Sequence, residues 1–387
     1  MATTADCRSR LDTIVCLPIN EWAGLPLNSH HLMREAASRG YRVLYVDPIG
    51  LRRPTVTRKD LAKLGRRLRL LKTPLVSVEP GIWRLAAAAI PLQDMDLGIA
   101  LNKRLLAFQV RRALRQIGAD RVLLWAYPPQ LVALRFEIPC DLAIYHRTDE
   151  YASMPGMDAD LLEAHEIRAV AAADLCIAPV RSYFDGPLRS ARRALWLPNA
   201  VDQHLFDPSL IGPDPIADVP HPRLLVMGTF DAWVDLGLLT EVMSNRPDWS
   251  LVLAGTPKVS LERLLALENV HFLGRVPYTE LSTLVSHCDV GLVPFRLGPV
   301  AAAAMPSKLY QYLAAGLPVL CTPFLDPALF SGWVAIAAAR REEFIRAIED
   351  LLAADSPTQR RARRTFIREH TWTARFDTVE GELERLN

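Results

Sequence analysis

The sequence predicts an α/β protein made of two doubly wound, Rossmann-like domains followed by C-terminal helices. Three observations carry that expectation. Short, continuously apolar runs alternate with helical patterns in two separate series. A proline-rich stretch without periodicity lies between the series, and 387 residues allow each of them its own core. Apolar runs of this length, each followed by a helix, are the pattern of buried parallel strands in βα units.

The first series contains TIVCLPI (13–19), RVLYVD (42–47), RVLLWAY (121–127), DLAIYH (141–146) and DLCIAP (174–179). Amphipathic segments at 30–39, 101–117 and 158–172 fall between these runs. DPSLIGPDPIADVPHP (207–222) has five prolines in sixteen residues and is expected as the linker. The second series is RLLVMG (223–228), WSLVLAG (249–255), VHFLG (270–274), DVGLVPF (289–295) and LPVLCT (317–322), with helical segments at 341–353 and 357–386. The expected boundaries are 1–203 for the N-terminal domain, 204–222 for the linker and 223–365 for the C-terminal domain. A final helix, 366–387, is expected to pack back toward the N-terminal domain.

A net charge of +2 gives no general case for nucleic acid as a partner. Six scattered cysteines form no CxxC pair and no metal-ligand spacing, which suits buried free thiols in a reducing cytoplasm. The N-terminal MATTADCRSRLDTIVCLPI lacks a charged-then-apolar design, and no apolar run approaches the ~18 residues of a membrane span. The expected location is the cytoplasm, with the inner face of the membrane as the alternative. That alternative comes from RRPTVTRKDLAKLGRRLRLLK (52–72), where nine Lys/Arg oppose one Asp and leucines recur at helical spacing. The pattern suits an anionic membrane surface or an anionic lipid-linked ligand, and equally a helix packing its leucines on the domain. The Arg run QRRARR (359–364) reads as a solvated helix face.

In open α/β sheets ligands bind beyond the carboxyl ends of the strands, so two facing domains make a cleft lined by strand-end loops. AMPSKLYQYLAAGLPVLCTP (304–323) follows one such strand. Pro306 suits the first turn of a helix, whose free N–H groups and positive dipole end form an anion site. Lys308 places a cation at that positive end, against the dipole. A bound anion explains this, and so does an ordinary surface lysine. In the first series, Gly24 lies in INEWAGLPLNSHH (19–31), where it lets the backbone approach a ligand. His30 and His31 start the next helix and serve either as cap residues or as contacts to a ligand. HRTDEY (146–151) crowds His146, Arg147, Asp149 and Glu150 at a strand end, as a site or as a solvated loop.

PSKLYQYLAAGLPVL resembles the C-terminal signature P-x-K-x-x-E-Y-x-A-A-G-x-P-V of the family-4-type retaining glycosyltransferases of GT-B fold. HHLMREAASRGYRVLYVDP (30–48), LPNAVDQHLFDP (197–208), NVHFLGRVPYTELSTLVSHCDVGLVPF (269–295) and HTWTARFD (370–377) agree in order and spacing. WAYPP (125–129), YHRTDEYASMPG (145–156) and GTFDAWVDLGLL (228–239) are closest to the teichuronic acid branch of that family. The resemblance implies a nucleotide-sugar donor held mainly by the C-terminal domain and a hydroxyl-bearing acceptor held mainly by the N-terminal one. By position it implies donor contacts at Gly24, at Gly228, Thr229, Phe230 and Asp231, and at Arg275, Val276 and Arg296. It adds the turn of Met305, Pro306, Ser307, Lys308 and Leu309, with Gln311 facing the ribose. His30, His146, Arg147 and Glu150 would meet the acceptor, and Asp149, His31 and Lys308 are the candidate catalytic residues. Neither a metal nor a cofactor is implied.

Three departures from the family pattern stand out. Its two glutamates, eight positions apart, are here Ala303 and Gln311. An amide still bonds a hydroxyl, without charge and with a different donor and acceptor set. The loop 228–239 lacks the Arg and Lys that commonly clamp the diphosphate, leaving Arg296 and Lys308 as substitutes. The basic residue before the N-terminal helix is replaced by Asn28 or Ser29. The leading expectation is a retaining glycosyltransferase. The alternatives are a catalytically silent sugar-nucleotide-binding partner and a GT-B sugar-nucleotide epimerase.

Overall fold

A computed structural model describes residues 11–48, 75–88, 96–148, 159–324, 329–330 and 332–386. Asp149, Glu150 and the basic segment 52–72 lie outside the described residues. The chain divides into two compact units, Met1–Pro198 with Arg375–Asn387, and Asn199–Ala374.

The first unit holds an eight-stranded sheet. Its strands are β1 (Thr13–Leu17), β2 (Arg42–Val46), β3 (Leu75–Glu79), β4 (Ile82–Leu85), β5 (Val122–Ala126), β6 (Leu142–His146), β7 (Leu175–Ala178) and β8 (Ala194–Trp196), in the order β3-β4-β2-β1-β5-β6-β7-β8. All pairs are parallel except β3 with β4. Every residue of β1 and of β5 is buried, because helices cover both faces of a parallel sheet. The strand order reverses at β1, between β2 and β5. The helix Trp372–Leu386 adds Phe376, Val379 and Leu383 to this core. Arg39 pairs with Asp377 and Glu380 of that helix at 2.7 and 2.9 Å.

The second unit holds six parallel strands: β9 (Arg223–Phe230), β10 (Ser250–Pro257), β11 (Val270–Gly274), β12 (Val290–Val293), β13 (Val319–Cys321) and β14 (Val334–Ile336). Their order is β11-β10-β9-β12-β13-β14. The core sits between sheet and helices, around Leu224, Val226, Leu239, Trp249, Leu251 and Phe344. The proline-rich stretch packs on this unit through Gly212 N–H to Thr283 Oγ1 (3.2 Å) and Asp214 to Arg223 (2.8 Å).

All ten strands expected from the sequence are present. β3, β4, β8 and β14 are additional, each only three to five residues long. The helical segment expected at 357–386 is two helices, Pro357–Ile367 and Trp372–Leu386. The Arg run 359–364 is a solvated face only in part, with Gln359 and Arg361 exposed. Arg363 is buried and donates to the Gly316 carbonyl (3.0 Å), and Arg364 donates to that of Ala315 (2.7 Å). The last carbonyls of a helix lack partners within it, and these two guanidinium groups supply them at Ser307–Ala315.

β9 and β10 run side by side to their ends, with Gly255 opposite Gly228. A Cβ at Gly255 would sit 1.7 Å from the Gly228 carbonyl oxygen, so only glycine fits there. Gly255→Ala is expected to destabilise the protein by about 2–4 kcal/mol, read as a lowered denaturation midpoint in urea.

Candidate functional site

In the second unit the strand order reverses between β9 and β12, the place where ligands bind in such sheets. The two strands pair only through Val290 with Leu224 and Gly291 with Leu225, then part. The helix Ser307–Ala315 fills the gap. Its Tyr312 hydroxyl accepts from the Met227 N–H (3.1 Å) and donates to the Leu225 carbonyl (3.2 Å), satisfying backbone groups that the parted strand leaves open. A Cβ at Gly291 would come within 2.5 Å of the Tyr312 ring, so glycine makes this approach possible.

One turn earlier on the same face is Lys308. Its Nζ lies 2.9 Å from where a Gly228 Cβ would be and 5.3 Å from the centre of the Phe295 ring. Gly228 has φ +115°, a backbone conformation that favours glycine, and a side chain there would displace the end of Lys308. Lys308 is half-buried, and among the described residues no carboxylate pairs with it. Desolvation lowers its pKa to about 8. Met305 is buried and Ser307 half-buried, while Pro306 stands at the helix boundary with no side-chain cap. Leu309 points into the core. Gln311 is half-buried, and its amide has no hydrogen-bond partner among the described residues.

The other donor candidates ring the same strand ends. Thr229 is half-buried, Phe230 is buried, and Asp231 pairs with Lys258 at 3.3 Å. Arg296 is exposed, its Nε 3.8 Å from Asp235, whose carboxylate caps the helix Leu236–Asn245. Arg275 is exposed and Val276 half-buried just past β11. Sequence reading missed Lys258. It follows a Thr-Pro at the end of β10, and only the register of Pro257 with Phe230 brings it beside Asp231.

In the first unit, His30 is buried with both ring nitrogens engaged. Nδ1 accepts from the Leu27 N–H (3.2 Å), and Nε2 meets the Glu21 carbonyl (3.2 Å). Desolvation is the main cause of its lowered pKa, and the neutral ring serves both bonds. Together with Trp22 N–H to Asp47 (3.0 Å) and Tyr45 O–H to the Asn20 carbonyl (3.0 Å), it pins the loop after β1. Gly24 is exposed on that loop and His31 is buried behind it.

His146 ends β6 with Nδ1 accepting from the Trp125 indole N–H (3.2 Å) and its ring stacked 4.8 Å from Tyr127. Burial lowers its pKa to about 3, so the ring is neutral and carries its proton on Nε2. Arg147 points inward. It pairs with Glu166 at 2.6 Å and lies 4.0 Å over the Tyr183 ring, while Tyr145 O–H donates to the other Glu166 oxygen (2.7 Å). Among the described residues no group of three or more His, Cys, Asp or Glu is arranged to hold a metal, and no helix is long and apolar enough to cross a membrane.

Residues 221–354, which include β9 to β14 and the helix bearing Lys308, match the family model for Glycosyl transferases group 1. The chain carries a group 1 glycosyltransferase domain. It is 24% identical over 284 residues to TuaH of Bacillus subtilis (strain 168), a candidate teichuronic acid biosynthesis glycosyltransferase, covering 68% of this chain and 72% of that protein. The trehalose-6-phosphate phosphatase N-terminal domain of Candida albicans superposes with a TM-score of 0.66 at 12% identity, over 96% of both chains. An E. coli trehalose-6-phosphate structure bound with UDP-2-fluoro glucose gives 0.64 at 13%, over 96% of this chain and 99% of that one. The avilamycin A glycosyltransferase AviGT4 gives 0.58 at 13%, over 97% and 98%. At these identities the structural likeness carries the fold alone, GT-B with two Rossmann-like domains. The enzyme class, a glycosyltransferase, rests on the family match and on the likeness to TuaH.

The lowered pKa of Lys308 has a thermodynamic consequence in the protein without ligand. Between about pH 8 and the unfolded lysine's 10.5, the unfolded chain binds more protons at this site, so stability rises with pH across that window. Relative to Lys308→Met, the wild type is expected to gain on the order of 1 kcal/mol from pH 8 to pH 10.5, measured by paired denaturant titrations.

Proposed function

We propose that the protein transfers a glycosyl group from a nucleoside-diphosphate sugar to an acceptor hydroxyl, with retention of anomeric configuration and without a metal ion. The observation that carries this reading is Lys308, a half-buried amine without a carboxylate partner among the described residues, at a helix start and against Gly228 where β9 and β12 part. A site short of negative charge, with a cation and open N–H groups, suits a diphosphate. A UDP-sugar bound by a structural neighbour of the same fold supports the donor class.

The chemistry then follows from charge. As the bond from the anomeric carbon to the diphosphate oxygen breaks, the diphosphate leaves with the electron pair. Lys308 and the N–H groups of the first turn stabilise the developing charge. The acceptor oxygen bonds to the anomeric carbon on the same face, and its proton passes to the departing phosphate. In this reading Gln311 bonds the ribose hydroxyls through its amide and Asp149 orients the acceptor. The buried ring of His146, kept neutral, offers an Nε2–H to the acceptor side. His30 and Arg147 act through the walls they hold in place. Ala303 and Gln311, in place of two carboxylates, favour as second reading a protein that binds sugar nucleotides without turnover.

A panel of nucleotide-sugars, with nucleotide release measured with and without acceptors, separates the readings. Acceptor-dependent release that persists in excess EDTA is expected. Binding without release on any acceptor would favour the silent partner, and donor isomerisation without acceptor an epimerase. Lys308→Ala is expected to lower kcat about 100-fold and to weaken donor binding less. Gln311→Glu keeps or raises nucleotide affinity if the side chain meets a ribose diol, as calorimetry with the free nucleotide would read.

A further inference from the structure

The helix Ser307–Ala315 has no side-chain cap at its start, so its own residues do not fix the turn that faces the donor. The contact that does so comes from 106 residues away. Asn199 Nδ2 donates to the Met305 carbonyl at 2.5 Å. A carbonyl only accepts, so the amide nitrogen must face it. Met305 is itself buried, and its sulfur accepts from the Tyr310 hydroxyl (3.6 Å). The Tyr310 ring packs 5.9 Å from His370. The His370 carbonyl accepts from the Val201 N–H (3.0 Å), and Val201 forms a parallel bridge with Thr371. The hydrogen bonds and ring contacts thus close a circuit through 199–201, 305–310 and 370–371, all within the second unit.

We propose that Asn199 is a positioning residue for the donor: by holding the Met305 carbonyl it aims the free N–H groups of Ser307 and Lys308 at the diphosphate. Pro306 has no N–H, so these two are the first donors the turn presents, and the direction of the preceding carbonyl sets the plane of the chain entering them. The circuit also places this control at 199–201 and 370–371, near the two ends of the second unit, away from the strand ends themselves. This inference rests on the nucleotide-sugar reading of the site. LPNAVDQHLFDP contains Asn199, yet nothing in its spacing links it to Met305.

The test compares the full-length wild type with Asn199→Ala and Asn199→Asp, using a nucleotide-sugar that the wild type turns over in the panel. Asn199→Ala is expected to lower kcat/KM for the donor about tenfold, leave the acceptor KM within about twofold, and speed exchange of the hydrogen-bonded amides that follow the free pair, at 309–311, in the protein without nucleotide. Asn199→Asp behaves likewise near neutral pH. Its activity relative to wild type then rises from about pH 8 to about pH 5.5, because a protonated carboxyl can donate to the Met305 carbonyl and a carboxylate cannot. Unchanged donor kinetics and exchange in Asn199→Ala would overturn the proposal. So would equal losses in donor and acceptor parameters with a lowered Tm, which mark a merely structural role. If the wild type turns over no donor, the functional reading fails, and the exchange comparison alone decides whether Asn199 holds the turn.

Discussion

Two hydrogen bonds made by one buried hydroxyl hold the candidate donor site in place. Where β9 and β12 part, Leu225 and Met227 present backbone groups that no strand can satisfy, and Tyr312 satisfies both. An unpaired buried amide or carbonyl costs roughly 1–3 kcal/mol, so the helix bearing Tyr312 is held in one place and rotation. Lys308, four residues earlier, is thereby delivered to Gly228. Gly291 contributes by what it lacks, since a side chain there would collide with the Tyr312 ring, and one at Gly228 would displace the Lys308 amine.

The two ends of that helix differ electrostatically. Arg363 and Arg364 donate to the carbonyls of Gly316 and Ala315, so its negative end is neutralised by the protein. Its positive end carries only a lysine, which opposes the dipole and is pushed toward neutrality by desolvation. A helix stabilised at one end and left with excess positive potential at the other favours a doubly charged anion over a neutral ligand. The departures from the family pattern act in the same direction. Ala303 and Gln311, where the resembled pattern has two carboxylates, add no negative charge at this helix.

The first unit spends its polar residues differently. His30, Asp47 and Tyr45 tie down the loop after β1, and Glu166 gathers Arg147 and Tyr145 behind the end of β6. A sequence shows that such groups lie at strand ends, where ligands bind. It does not show whether they turn toward the ligand or toward the protein. Arg147 turns inward because a guanidinium between a carboxylate and the Tyr183 ring is better satisfied than one in a loop.

The alternation of apolar runs and amphipathic segments determined the α/β class and ten of the fourteen strands among the described residues, because burial on both faces leaves an unbroken apolar signal. β3, β4, β8 and β14 left no such signal, because they are only partly buried and β3 and β4 carry Ser77, Glu79 and Arg84 within their runs. Pro306, Lys308 and Gly316 marked the ends of the helix Ser307–Ala315 locally, through rules of helix termini that need no tertiary partner. Only the folded chain decided that Tyr312 bolts this helix to β9, that Arg363 and Arg364 close its far end, that Asn199 reaches the turn before it, and that Lys258 meets Asp231 past the end of β9. Those contacts join residues dozens to more than a hundred positions apart, and only the packing of helices and loops on the ordered sheet brings them within hydrogen-bonding distance.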